Sequence, residues 1–226
     1  MTLEDLKLVQ VETGITFGQE CYLDRSRAQE FLDKVNEISP NILTRPSFQQ
    51  LPKGFALTNS NGTRRCVIRP NHFRYLVPGP SIKSNIFLSE VENVFGCFRD
   101  VFALDDVRRI GKIYDFQSPV SLTKDSLSGI LSIEESVQVN NLQLLFQKEN
   151  KNINIHFLPV EKGSVEIEGK KVDLDPGVIV RCDINNINTR SRLNIPATLK
   201  EIFEFTDRYV QIELVNFLNK YFGRKS

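Results

Sequence analysis

Between residues 84 and 102 the chain sets Phe87, Val91, Val94, Phe95, Phe98, Val101 and Phe102 at three-and-four spacing. This is the stripe of an amphipathic helix with a large aromatic face to bury. Segments of a different period flank it. Residues 54–78 read as strands around Asn61-Gly62, a strong hairpin turn signal, and VRRIGKIYDF at 107–116 reads as another. A helix with strands on both sides of it in the sequence predicts an α+β fold, with helices covering one face of an antiparallel sheet.

The remaining elements extend this order. Residues 13–18 are predicted to form a short strand. Asp24 or Ser26 can cap a helix reaching about residue 38, with Ala28, Phe31, Leu32, Val35 and Ile38 on one stripe. Pro40, Pro46 and Pro52 exclude regular helix from the loop that follows. Pro70-Asn71 leaves residues 72–77 either as a continuation after a bulge or as a separate strand. The order β-α-β-β-α-β predicts a ferredoxin-like, split βαβ unit over residues 1–116.

Residues 117–136 are expected to be a connector, and 137–226 a β-rich antiparallel half closed by a long helix. Its predicted hairpins join 139–147 to 152–159 and 163–168 to 171–174. Asp175-Pro176-Gly177 then turns the chain into a strand over 178–187. Thr198 and Glu201 have capping-box spacing for the last helix, which is predicted to run to about residue 222. Phe205, Ile212, Val215 and Phe222 fall off its main stripe. A helix apolar on more than one face is usually packed twice, so it is expected between the two halves or against a second copy of the chain.

The 226 residues are 40% hydrophobic, enough for a core that needs neither disulfides nor metal. Cys21, Cys66, Cys97 and Cys182 are widely spaced and read as small core residues of a reducing compartment. MTLEDLKLVQ carries acids and lacks the apolar run of a signal peptide, and no window reaches membrane-spanning length. A cytoplasmic location with no membrane partner is expected.

The net charge of +1 conceals a strong asymmetry. Residues 1–37 hold eight acids and four bases, whereas 38–89 hold no acid and seven bases: Arg45, Lys53, Arg64, Arg65, Arg69, Arg74 and Lys83. Strand alternation puts Arg65 and Arg69 on one face, Arg64 on the other with Cys66 and Ile68, and Phe73 and Tyr75 opposite His72 and Arg74. Arg64, Arg65, Arg69 and Arg74 are therefore candidates for binding nucleic acid or another anion, by phosphate contact and base stacking. The competing reading is a solvated face whose bases pair with the acids of 1–37. Neither CVIRPNHF nor HFRYLV supplies the aromatic signature of an RNA-recognition motif.

Arg109 alternates with Val107, Gly111 and Ile113, so its guanidinium is expected to need a partner: a ligand anion, or internally Asp115 or Asp183. Gly111 in mid-strand predicts a bulge or a close approach by another element. Asp173, Asp175 and Asp183 do not have the spacing of a calcium loop. His72 and His156 are the only histidines, and no nucleophile elbow, P-loop or dinucleotide fingerprint is present. No cofactor and no metal site is predicted.

Arg109-Ile110-Gly111 followed by Tyr114, Cys182-Asp183-Ile184, and a last helix with an aromatic near Phe217 give the chain a pattern that resembles a sporadically distributed family of prokaryotic proteins. It departs from that pattern at Lys112-Ile113, Asp115-Phe116 and Asp207-Arg208-Tyr209. The resemblance implies an α+β fold and assigns no activity. These readings favour a non-enzymatic binding or interaction protein with a basic sheet surface. The alternatives are self-assembly as a homo-dimer through the C-terminal helix, and an enzyme with a site near Arg109 and Asp183.

Overall fold

The computed structural model describes residues 2–40, 42–43, 49–78, 82–118, 142–160, 163–167, 170–174, 177–186 and 194–222. The fold is α+β, with an antiparallel sheet and a long C-terminal helix. The first stretch is β1 (Lys7–Phe17), α1 (Arg25–Ile38), β2 (Gln49–Leu51), β3 (Gly54–Thr58), β4 (Arg65–Arg69), β5 (His72–Pro78) and α2 (Ser84–Phe102). The second is β6 (Val107–Ser118), β7 (Leu142–Lys148), β8 (Lys151–Val160), β9 (Gly163–Ile167), β10 (Lys170–Leu174), β11 (Gly177–Asn186) and the C-terminal helix α3. Helix α3 runs Ile195–Arg208, passes through a π-helical stretch Tyr209–Leu214 and finishes as Val215–Phe222. The connector predicted over 117–136 lies almost wholly outside the described residues.

Nine strands form one sheet in the order β2-β3-β4-β5-β1-β6-β11-β8-β7, and β9 and β10 form a separate hairpin. The predicted halves thus contribute to a continuous sheet, because β6 pairs with β1 on one side and β11 on the other. The order also repeats outward from its centre. β1 and β6 lie side by side, each flanked by the strand that precedes the next helix, β5 before α2 and β11 before α3.

Local chemistry explains most boundaries. Asp24 caps α1, its carboxylate accepting from Arg27 N at 2.8 Å. Pro70-Asn71 is a two-residue turn between the paired Arg69 and His72, so β5 is a separate strand. Glu149 and Asn150 both have positive φ, at 48° and 59°, the conformation of the tight hairpin that joins β7 to β8. Helix α3 starts earlier than the capping-box spacing predicts. Asn194 is the cap, its side chain accepting from Ala197 N at 3.4 Å, with Pro196 in the first turn and Thr198 already inside the helix.

The three described helices cover the same side of the sheet. One core gathers Val11, Ile15, Phe73, Tyr75 and Ile110 under Phe31, Phe87, Phe95 and Phe98, with Leu199, Ile202 and Phe203 of α3. A second core gathers Ile153, Ile155, Phe157, Val180, Cys182 and Ile184 under Phe205, Tyr209, Leu214, Leu218 and Phe222. Helix α3 is therefore packed twice, its first turns on one core and its later turns on the other. The π-helical stretch carries the apolar residues beyond it round the axis, which is why Phe222 is buried despite lying off a stripe of period 3.6, while Phe205, ahead of that stretch, is buried because the helix lies over both cores. The four cysteines are free and buried. No described helix is long and apolar enough to cross a membrane.

Candidate binding surface on the open sheet face

Because side chains alternate across a strand and partners in an antiparallel pair share a face, the register lays out the side opposite the helices. One row across four strands is Arg69, His72, Thr16 and Arg109. The next is Val67, Arg74, Gly14, Gly111, Asn185, Asn152 and Gln147. A third is Arg65, Leu76, Glu12, Ile113, Asp183, Asn154 and Leu145. The fourth runs Pro78, Gln10, Asp115, Arg181, His156 and Gln143.

Five arginines reach this face, and three are held by carboxylates. Arg74 makes a two-pronged contact with Glu12, 2.5 Å on each prong, over a carboxylate only 2% exposed. Arg181 grips Asp115 at 2.8 Å on both oxygens, and Gln10 Nε2 donates to the same carboxylate at 2.8 Å. That grip holds the Arg181 guanidinium above its ordinary pKa. Arg109 donates to both oxygens of Asp183, at 3.0 and 2.8 Å.

Gly111 makes room for the last pair. A Cβ there would stand 3.0 Å from Asn185 Cβ and 3.3 Å from Asp183 Oδ1. The mid-strand glycine thus answers to a close approach, and the β1–β6 bulges lie elsewhere, between Leu8 and Gln10 and between Thr16 and Phe17.

Arg65 and Arg69 differ from the other three. Neither has a carboxylate among the described residues, and Arg65 Nε is buried with no hydrogen-bond partner. His72 stands beside Arg69, between Arg74 and Arg109. Burial first, and then the charges of Arg74, Arg109 and Arg69, push its imidazole down to about 4. Arg64 is remote from this group. It lies on the helix side, donating to Glu90 of α2 at 2.7 and 2.9 Å, while Tyr75 Oη donates to the same carboxylate at 2.9 Å. Arg45 lies outside the described residues, and Lys53 and Lys83 are exposed away from the strands. Phe73 and Tyr75, on the other face of β5 as their alternation predicts, are fully buried against the helices.

A second polar cluster is buried on the helix side, where sequence reasoning placed no site. Lys112 Nζ donates to Ser84 Oγ at 2.7 Å and Asp207 Oδ1 at 2.5 Å, between the rings of Phe203 and Tyr114 at 4.4 and 4.9 Å. Tyr114 Oη donates to Asp207 at 2.7 Å, and Ser84 also bonds that carboxylate. The available signal is parity: Lys112 sits between Ile110 and Tyr114, which face the core. Among the described residues no group of three or more His, Cys, Asp or Glu is arranged to hold a metal ion.

No protein-family model matches the chain, and no curated protein does. Among solved structures it is similar to Methanococcus jannaschii TBP, at 11% identity over 90% of this chain and 98% of that one, with a TM-score of 0.29. A likeness at that level carries no functional argument.

Proposed function

We propose that the protein is a non-enzymatic nucleic-acid-binding protein that takes phosphate groups on the open face of its sheet. The observation that carries this reading is the charge left over there. Each described carboxylate of the face, Glu12, Asp115 and Asp183, is already held by an arginine. Arg65 and Arg69 have no acid among the described residues to neutralise them, so the face is a surface for anions. The buried, unpartnered Arg65 Nε is a donor awaiting an acceptor. The strand order β4-β5-β1-β6 supports reading the first part as a ferredoxin-like unit extended by the β2–β3 hairpin. The described helices all lie on one side of the sheet, and the ligand is assigned to the other.

Neither alternative gains comparable support. Of the residues expected to meet a second copy, Phe222 is buried against its own Phe157, Val215 is half-buried and Ile212 alone is exposed. Arg109 and Asp183 are engaged with each other, with Asn185 Nδ2 on the same carboxylate.

Fluorescence anisotropy with a labelled random-sequence oligonucleotide tests the proposal. Binding is expected at low salt and weakens as salt rises. The Arg65→Ala/Arg69→Ala double variant is expected to bind more weakly, with a salt slope shallower by about 0.9 for each duplex phosphate it no longer neutralises. A double variant that binds with wild-type affinity and slope overturns the assignment to this face.

A further inference from the structure

The two edges of the nine-stranded sheet differ. At one end β2 is three residues long and runs into Pro52 and Lys53, so it offers little to an incoming strand. At the other end β7 pairs with β8 along all of its seven residues without a bulge, and no described strand pairs with its outer side. From Leu142 to Gln147 it carries no charge and no proline, the residues that ordinarily keep an edge from pairing. Lys148 ends the strand, and its ammonium is already held by Glu213 of α3. Apolar side chains are exposed here: Leu145 by 70%, Phe146 by 37%, and Ile212, between the Tyr209 and Glu213 that α3 sets against β7, by 54%.

The strand also has the same chemical pattern in both directions. Gln143-Leu144-Leu145-Phe146-Gln147 runs amide, apolar, apolar, apolar, amide, centred on Leu145. In an antiparallel pair about that residue each position meets its like. Leu145 meets its own copy, Leu144 meets Phe146, Gln143 meets Gln147, and Lys148 meets Leu142, so no like charges oppose. Alternation keeps Gln143, Leu145 and Gln147 on the open face and Leu144 and Phe146 on the helix side in both strands. The amides retain capacity for such a contact. Gln143 Nε2 donates to Asn154 Oδ1 at 3.1 Å and Gln147 Nε2 to Asn152 Oδ1 at 3.0 Å, which uses one of the two donor hydrogens of each. An edge of this kind asks for a strand, and a second copy of the chain supplies one that fits. Joining two β7 edges uses both of them, so the assembly closes as a dimer instead of growing.

We infer that the protein is a two-fold homodimer in which β7 pairs antiparallel with β7 of a second copy about Leu145, independently of what the open face binds. Opposite residues of an antiparallel pair share a face, so both open faces lie on one side of the joined sheet. Sedimentation velocity at micromolar concentration is expected to give a dimer. Leu145→Lys sets like charges opposite each other at an exposed position. It is expected to weaken association at least about tenfold while far-ultraviolet circular dichroism stays that of the wild type. Cysteine cross-linking tests the register. The four native cysteines are buried, so a single introduced thiol is the reactive one. Leu145→Cys is expected to be joined to its copy by a short bis-maleimide, because the two Cβ atoms stand about 5 Å apart. Gln143→Cys is expected not to be, since its copies lie four residues out of register, about 13 Å apart. A monomer at micromolar concentration overturns the inference, whether its β7 amides exchange freely or are covered by another segment of the same chain. A Leu145→Lys dimer of wild-type strength overturns it too. Cross-linking through position 143 as efficient as through 145 overturns the register.

Discussion

Lys112 Nζ lies 2.5 Å from Asp207 Oδ1, and none of the lysine side chain reaches solvent. The pair joins β6 to α3, and Ser84, at the start of α2, bonds both partners. Removing one partner of a buried pair is costly, because the other charge is left unpaired. Replacing both partners by well-packed apolar residues of similar volume is not. Asp207→Ala is expected to lower stability by about 3–5 kcal/mol, whereas the Lys112→Met/Asp207→Leu double variant is expected to lose much less. Urea denaturation of the two variants decides this, and a larger loss for the double variant would contradict it.

The same lysine gives stability a pH signature. Burial pushes its ammonium down to about 8 from 10.5, against the opposing pull of Asp207. Between those values the unfolded chain binds more protons at this site than the native one, so this contribution makes stability rise with pH across the window. Tyr75, Tyr114 and Tyr209, raised by burial, act in the opposite sense when the unfolded phenols ionise. The readout is therefore the difference between wild type and Lys112→Met. The urea midpoint of wild type is expected to rise relative to that of Lys112→Met as pH goes from about 8 to 10.5, and parallel profiles would exclude the effect.

His72 carries an acid counterpart. Its folded value of about 4 lies below the ordinary 6.5, so the stability tied to its neutral form is complete above 6.5 and falls away as pH drops towards 4. In an NMR titration its ring resonances are expected to stay those of the neutral imidazole at pH 5.5, roughly a unit above the folded value. A polyanion on the open face would offset the arginine charges around it, and the midpoint is expected to move up on adding nucleic acid. A midpoint near 6.5 in the free protein would contradict the crowding by Arg74, Arg109 and Arg69.

Glu12 and Arg74 separate structure from binding. Arg74→Ala leaves a carboxylate 2% exposed without its partner, at a cost of about 3–5 kcal/mol. Glu12→Gln instead keeps the shape and frees a guanidinium on the basic zone. It is expected to tighten polyanion binding and to steepen the salt slope by about 0.9. Anisotropy over a salt series reads this directly.

Two facing glycines are expected to behave differently. Gly14 and Gly111 are paired across β1 and β6. A Cβ on Gly14 meets His72 Cε1 at 3.6 Å, an ordinary contact, and one on Gly111 meets Asn185 Cβ at 3.0 Å. Gly111→Ala is expected to cost about 1–3 kcal/mol by crowding, and Gly14→Ala much less. Equal thermal shifts would contradict the distinction.

Much of this was legible because side-chain period is a local property. The Phe stripe of α2, the alternation of β4 and the shared face of Arg65 and Arg69 all follow from neighbours a few residues apart. The partners of the arginines do not. Arg74 meets Glu12 from 62 residues away, and Arg181 meets Asp115 from 66. Those pairings depend on a register that only the assembled sheet fixes. The repeated strand order about β1 and β6 leaves no repeat in the residues, since hydrogen bonding between backbones makes it. Phe222 fell off the stripe because a period of 3.6 was applied across a stretch where the helix abandons it, and Phe205 because the second core it meets is built from distant strands.

That local change of winding sets a constraint of its own. Each residue added to an α-helix turns everything beyond it by about 100°. A π turn accommodates about one residue more than an α turn, so uniform α winding of Tyr209–Leu214 at unchanged length would swing Leu218 and Phe222 away from Phe157 towards water. Removing one residue from the stretch at the same time would bring them back into phase. Functional variants of this segment are therefore expected to keep the wide turn and its extra residue together, or to lose both.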